Sequence, residues 1–163
     1  MRVTEIGILK SASEFEIPLV SVRAPCGTGF PSPADDYAEE GLDLNRYVTE
    51  HPEATLYARA EGDSMIGAGI FDGDILVVDK ALVNNANGRV ITAWYNGHFT
   101  VKRLYTDPRL KRSFLISENP KYPPIEIHPE TDFAIWAVVT WNVHRLSREL
   151  PDDVKSILYG MKK

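Results

Sequence analysis

A chain of 163 residues, 44% hydrophobic, with 18 Lys and Arg against 23 Asp and Glu, carries a formal charge of −5. That is the make-up of one globular domain with a real core, and its acidity argues against sequestration of nucleic acid, which needs clustered Lys and Arg to neutralise phosphates. A single cysteine, Cys26, leaves no intrachain disulfide and fits a reducing cytoplasm; no apolar run nears the ~20 residues of a membrane span, and no apolar core of a secretory signal follows Met1.

In chain order, residues 1–50 read as a flexible arm. Ile17-Pro18-Leu19-Val20-Ser21-Val22 predicts a short extended segment, which Pro18 confines to an edge. Pro25 to Pro33 holds three prolines and two glycines in nine residues, Pro-Cys-Gly-Thr-Gly-Phe-Pro-Ser-Pro, a composition suited to an exposed, cleavable stretch. The acidic run Asp35 to Glu40, followed by Leu42, Leu44 and Tyr47, predicts a short helix capped by Ser32 or Asp35. His51-Pro52 ends it.

From Ala54 to Asn142 the pattern is mostly strand. Thr55 to Ala60 leads into a turn at Gly62, and Asp72-Gly73-Asp74 precedes the apolar strand Ile75-Leu76-Val77-Val78. Arg89 to Tyr95 and His98 to Leu104 flank Asn96-Gly97, the dipeptide of a two-residue type I′ hairpin. Phe114 to Ser117, Ile125 to Ile127 and the long run Phe133 to Trp141 continue the β pattern. Trp94, Trp136 and Trp141 read as core or interface anchors. Pro151-Asp152-Asp153 then opens a terminal helix, with Val154, Ile157, Leu158 and Met161 at helical spacing and lysines at its end.

Two segments carry chemistry. Glu61-Gly62-Asp63-Ser64-Met65 places a hydroxyl in a Gly-led turn, and Phe99-Thr100-Val101-Lys102-Arg103-Leu104 places an amine within an apolar strand. Read singly, Ser64 is a turn serine bonding its own backbone, and Lys102 is a strand lysine whose amine snorkels to water. Read together they form a candidate Ser-Lys nucleophile pair: an amine held in apolar surroundings loses proton affinity and can accept the serine proton. Strand alternation puts Lys102 on the face of Thr100 and Leu104. Asp63 adjoins the nucleophile, so a neutral Lys102 requires its carboxylate to point away; the backbone N–H groups of Asp63 and Ser64 are the candidate oxyanion donors. The histidines His51, His98, His128 and His144 are scattered without ligand spacing, so no metal or other cofactor is expected. Asp72 and Asp74 read as turn formers.

The ordered set Phe30-Pro31-Ser32-Pro33-Ala34, Leu42-Asp43-Leu44-Asn45, His51-Pro52-x-Ala54-Thr55, Gly62-Asp63-Ser64-Met65, Asp72-Gly73-Asp74, Phe99 to Leu104, Asn119-Pro120-x-Tyr122 and Trp136-Ala137-Val138-Val139 resembles the LexA/UmuD self-cleaving serine peptidase family, on its UmuD side. The resemblance implies a mainly β peptidase and dimerisation domain over 51–145, behind an extended N-terminal arm over 1–50 and before a short C-terminal helical extension over 146–163. It implies Ser64 as nucleophile, Lys102 as general base, and a scissile bond between a small residue and glycine in the arm. Cys26-Gly27 fits that bond; Thr28-Gly29 is the alternative, because this chain carries two extra residues ahead of Phe30 and β-branched Thr28 suits a small pocket less well. No helix-turn-helix domain fits before Cys26, which points to an accessory protein rather than a repressor. The implied partners are a second copy of the chain in a homodimer, the RecA–single-stranded DNA filament that stimulates cleavage, and a UmuC-like Y-family polymerase for translesion synthesis in the SOS response. The competing expectation is a UmuD-like dimeric interaction module that binds a polymerase without cutting itself.

Overall fold

Short apolar and β-branched runs separated by Gly-, Asn- and Pro-rich turns recur after His51, the pattern of an antiparallel sheet. The computed structural model describes residues 1–8, 17–20 and 38–146. Its main sheet comprises β1 (Arg2–Ile8), β4 (Thr55–Glu61), β5 (Ile75–Asp79), β6 (Val90–Tyr95), β7 (His98–Asp107), β8 (Arg112–Ile116), β9 (Ile125–Ile127) and β10 (Phe133–Val143). They lie in the order β1-β4-β5-β10-β6-β7-β8-β9, every neighbouring pair antiparallel. The first six close on themselves where Arg2 of β1 pairs with Thr100 of β7, and β8 and β9 extend from the far half of β7. Closure requires curvature. β10 supplies it with register shifts between Ile135 and Ala137 and between Val139 and Trp141, one toward each neighbour.

Two packed clusters fill the interior. Met65, Ile70, Leu76, Val78, Val101 and Ala137 belong to one, Ile91, Ala93, Leu104, Leu115 and Val138 to the other. On the sheet surface Phe99 bridges Trp94 and Trp136, with ring centroids 5.3 and 5.4 Å apart, and Lys80 lies over Trp136. Trp141 stays 43% exposed and leans on Tyr47, so it anchors no core.

The Asn96-Gly97 hairpin forms as expected. Both residues take positive φ, 45° and 89°, which matches the right-handed twist of the flanking strands. The resulting register pairs Tyr95 with His98 and, five pairs on, Val90 with Arg103. It thereby sets which side of β7 Lys102 faces.

Two expectations about the first 50 residues need correction. Ala38–Leu42 is a strand, β3, paired with β2 (Ile17–Val20), and only Leu44–Val48 is helical, as α1. Its cap is Asp43, whose carboxylate accepts the N–H groups of Asn45 and Arg46 at 2.9 and 3.3 Å. Gly41 weakens a helix through its acidic run, while Asp43 stands one residue ahead of the first helical position and can reach those orphan donors. Nor are residues 1–50 one arm apart from the domain, since Arg2–Ile8 is a strand of the main sheet. Proline-free and flanked by an unpaired edge of β4, it satisfies that edge's backbone groups. The expected C-terminal helix lies outside the described residues.

Gly97→Ala would force a Cβ into a left-handed position and is expected to cost about 1–2 kcal/mol. Urea unfolding checks this: the midpoint should fall with the slope unchanged, whereas an unmoved midpoint would contradict the type I′ turn.

Candidate active site

Ser64 owes its position to the end of β4. Gly62, at φ 95°, turns the chain out of the strand, and the Asp72 carboxylate accepts the Gly62 N–H at 2.7 Å. Met65 then drives inward, fully buried in the first core cluster. Its carbonyl accepts the N–H groups of Ala68 and Ile70, which winds a short 3₁₀ turn over Ile66–Ala68. With Met65 anchored, Ser64 has little freedom; it is 3% exposed.

Lys102 reaches the same place from β7. Val101 points into the core, so its strand neighbours Thr100 and Lys102 turn toward the turn carrying Ser64. Lys102 is 5% exposed, and its Nζ donates to Ser64 Oγ at 2.7 Å, to the Val101 carbonyl at 3.0 Å and to Thr100 Oγ1 at 3.4 Å. None of these partners is a carboxylate. Burial therefore dominates and pushes the amine below its ordinary pKa. A neutral amine at 2.7 Å can accept the hydroxyl proton.

Asp63 faces away from this pair, as the sequence leads one to expect. Its carboxylate accepts the Tyr122 hydroxyl at 2.5 Å and lies 3.4 Å from Lys121 Nζ. The Tyr122 hydrogen bond holds Asp63 below the usual carboxylate range, and the same contact raises Tyr122. Asn119 Nδ2 donates to the Asp63 carbonyl at 2.9 Å.

The pair opens onto a cleft of about 360 Å³. Tyr95 and His98 come to its wall from the β6–β7 hairpin, Tyr122 and Pro123 from the β8–β9 connection, and Ile125 from the start of β9. Met1 already lies in it. Its α-amine is 2.6 Å from Ser64 Oγ, and its carbonyl accepts the Val101 N–H at 3.1 Å and the Thr100 hydroxyl at 3.0 Å. Burial, then the charge of Lys102, lowers the amine pKa to about 5.

The structure thus brings together Ser64, Lys102 and the Asp63–Ser64 backbone. Cys26, Gly27, Thr28 and Gly29 lie outside the described residues. Thr100, Asn119, Tyr122 and Met1 were not singled out as site residues in the sequence. Thr100 was within reach of strand periodicity, being two positions before Lys102; the other three arrive through contacts 56 to 63 residues apart, which local spacing does not encode. Two of the histidines bind buried carboxylates, His51 to Asp79 at 2.6 Å and His144 to Asp74 at 2.5 Å. The Asp79 hydrogen bond raises His51 above its ordinary value. Asp74 also accepts the Phe71 N–H, the role of a turn former.

The chain is similar to known proteins over most of its length. The Peptidase S24-like family matches residues 18–140. SamA of Salmonella typhimurium LT2 is 46% identical over 128 residues, 78% of this chain and 85% of SamA. ImpA of Escherichia coli is 46% identical over 133 residues, 82% of this chain and 86% of ImpA. MucA of Escherichia coli is 42% identical over 113 residues, 69% of this chain and 75% of MucA. With its β sheet, its Ser64 turn and a family match across most of its length, the chain belongs to the Peptidase S24-like family, as a UmuD-type member of the LexA/UmuD group.

Proposed function

We propose that this protein is a self-cleaving Ser-Lys peptidase whose substrate is its own N-terminal arm. The observation that carries the reading is the Lys102 Nζ–Ser64 Oγ contact of 2.7 Å between two buried side chains, with no carboxylate on the amine. Neutral Lys102 takes the Ser64 proton as Oγ attacks the carbonyl carbon of Cys26, and backbone N–H groups beside Ser64 stabilise the oxyanion. The Cys26–Gly27 C–N bond then breaks, the Gly27 amine leaving with the proton that Lys102 returns. Water hydrolyses the Cys26 acyl ester, with Lys102 again as base. Gly27 lets the arm's backbone approach the nucleophile closely; Thr28-Gly29 is the second candidate bond. The arm of a second copy is as good a substrate as the chain's own, since residues 27 to 64 span far more than a domain width at ~3.3 Å per extended residue.

Membership in the UmuD-type group supports the wider role. In it, a cytoplasmic homodimer is cut on contact with RecA–single-stranded DNA filaments in the SOS response. Its shortened form serves a UmuC-like Y-family polymerase in translesion synthesis. One observation favours the competing reading of a module that does not cut itself: Met1 occupies Ser64 and the Val101 N–H, where a substrate backbone would have to lie. In our reading this is a resting state, and the arm must displace Met1 before cleavage.

Three outcomes test the proposal. Wild-type protein held at pH ~10 should cleave without any activator, because Lys102 is then neutral, and Ser64→Ala and Lys102→Ala should stay intact on gels. Intact wild type after long incubation would sink the peptidase reading. Mass spectrometry of the product should find Gly27 as its new first residue; a product beginning at Gly29 would move the bond to Thr28-Gly29. Finally, a lysine whose folded pKa is depressed binds its proton more readily unfolded, so its contribution to stability is full above its ordinary 10.5 and is lost as pH falls through the folded value. Denaturation of Ser64→Ala against Ser64→Ala/Lys102→Met should therefore show a stability difference that narrows as pH rises, and a gap independent of pH would contradict a buried, neutral Lys102.

A further inference from the structure

We infer that Asn119 is the positioning residue for the oxyanion site: it fixes the Asp63–Ser64 peptide so that the Ser64 N–H faces the cleft. This deepens the peptidase reading above and rests on it.

The geometry is specific. Asn119 lies in the β8–β9 connection, 4% exposed, and uses both ends of its amide. Nδ2 donates to the Asp63 carbonyl at 2.9 Å, while Oδ1 accepts the Lys121 N–H at 3.1 Å. Because the second bond consumes the oxygen, the amide cannot flip without losing both. The Asp63–Ser64 peptide is trans, so its C=O and N–H lie in one plane and point in opposite directions. Asp63 and Ser64 line the cleft and Asn119 does not. Holding the carbonyl from behind therefore presents the Ser64 N–H in front. Neither the Ser64 nor the Met65 N–H has a hydrogen-bond partner among the described residues.

The same connection grips the other side of the nucleophile. The Glu118 carbonyl accepts the Gly67 N–H at 2.7 Å, and a Cβ on Gly67 would lie only 2.6 Å from that oxygen. Arg103, next to Lys102 on β7, pairs with the Glu118 side chain. Glu118 and Asn119 thus clamp the Ser64–Met65 turn at Asp63 and at Gly67, and tie it to the strand that carries the base. Asn119 hydrogen-bonds to neither Ser64 Oγ nor Lys102; besides the Asp63 carbonyl its Nδ2 reaches the Asp63 carboxylate at 3.4 Å, so it acts on the rate by holding Asp63.

The test is the first-order rate of self-cleavage against pH for wild type, Asn119→Ala and Asn119→Asp, with Ser64→Ala as the dead control. Loss of the clamp should lower the alkaline plateau by about 100-fold, the scale of a misplaced oxyanion donor. The midpoint of the Asn119→Ala profile, which reports Lys102, should stay where it is. Asn119→Asp keeps the acceptor for the Lys121 N–H and so the loop, but turns an oxygen toward the Asp63 carbonyl; it carries the test if Asn119→Ala does not fold. The Ser64 amide ¹⁵N resonance should shift in the folded variants, because the carbonyl of its own peptide has lost a donor. A folded variant cleaving at the wild-type plateau, or showing only a moved midpoint, would overturn the role of Asn119 while leaving the peptidase reading intact. A wild type that never cleaves would instead overturn both.

Discussion

An amine kept out of water is the constraint on which the rest of this molecule depends. Lys102 is almost fully buried, and burial disfavours its charge. Its donors must still be satisfied, since an unpartnered buried polar group is costly. Ser64, Thr100 and the Val101 carbonyl meet that demand with two hydroxyls and a backbone oxygen. Each partner satisfies the amine without supplying the negative charge that would hold it protonated. The one carboxylate adjoining Ser64 in sequence, Asp63, is drawn off by Tyr122 and Lys121.

Paired strands and a packed turn hold these atoms. Lys102 stands on a long strand locked on one side by the β6 hairpin and on the other by β8. Ser64 stands on a turn pinned through Met65 in the core and through the Glu118–Asn119 connection. Side chains supported in this way lose little by reorganisation when chemistry occurs. The same sheet that positions Lys102 also closes the barrel, since Thr100 pairs with Arg2 beside the site. Fold closure and site assembly are therefore one arrangement, and β1, which completes the ring, brings Met1 onto Ser64.

Much of the β architecture was legible from residue order, and for identifiable reasons. Alternation set the face of Lys102 on β7, and the apolar run Ile75 to Val78 announced β5. Asn96-Gly97 determined the hairpin because few other dipeptides accept positive φ twice. The failures have physical causes as well. Residues 38–42 carry a helix-like acidic run, yet pairing with Ile17–Val20 makes them a strand, a long-range preference that local propensity cannot report. Arg2–Ile8 went unrecognised as a strand because its pattern is weak, and what holds it is an edge of β4 48 to 59 residues away.

For the site the division is sharper. Sequence by itself determined the chemical types: a hydroxyl after a Gly-led turn, an amine in an apolar strand, and a small-residue–Gly bond in a proline-rich stretch. These are properties of residues and of their immediate neighbours, and local sterics and alternation are enough to infer them. Only the tertiary structure decided that Nζ and Oγ meet, that Asp63 turns toward Tyr122, and that Asn119 grips the peptide between Asp63 and Ser64. Those contacts join residues 38, 59 and 56 positions apart. Their geometry comes from sheet closure and packing, which arise from the whole chain at once and from no stretch of it alone.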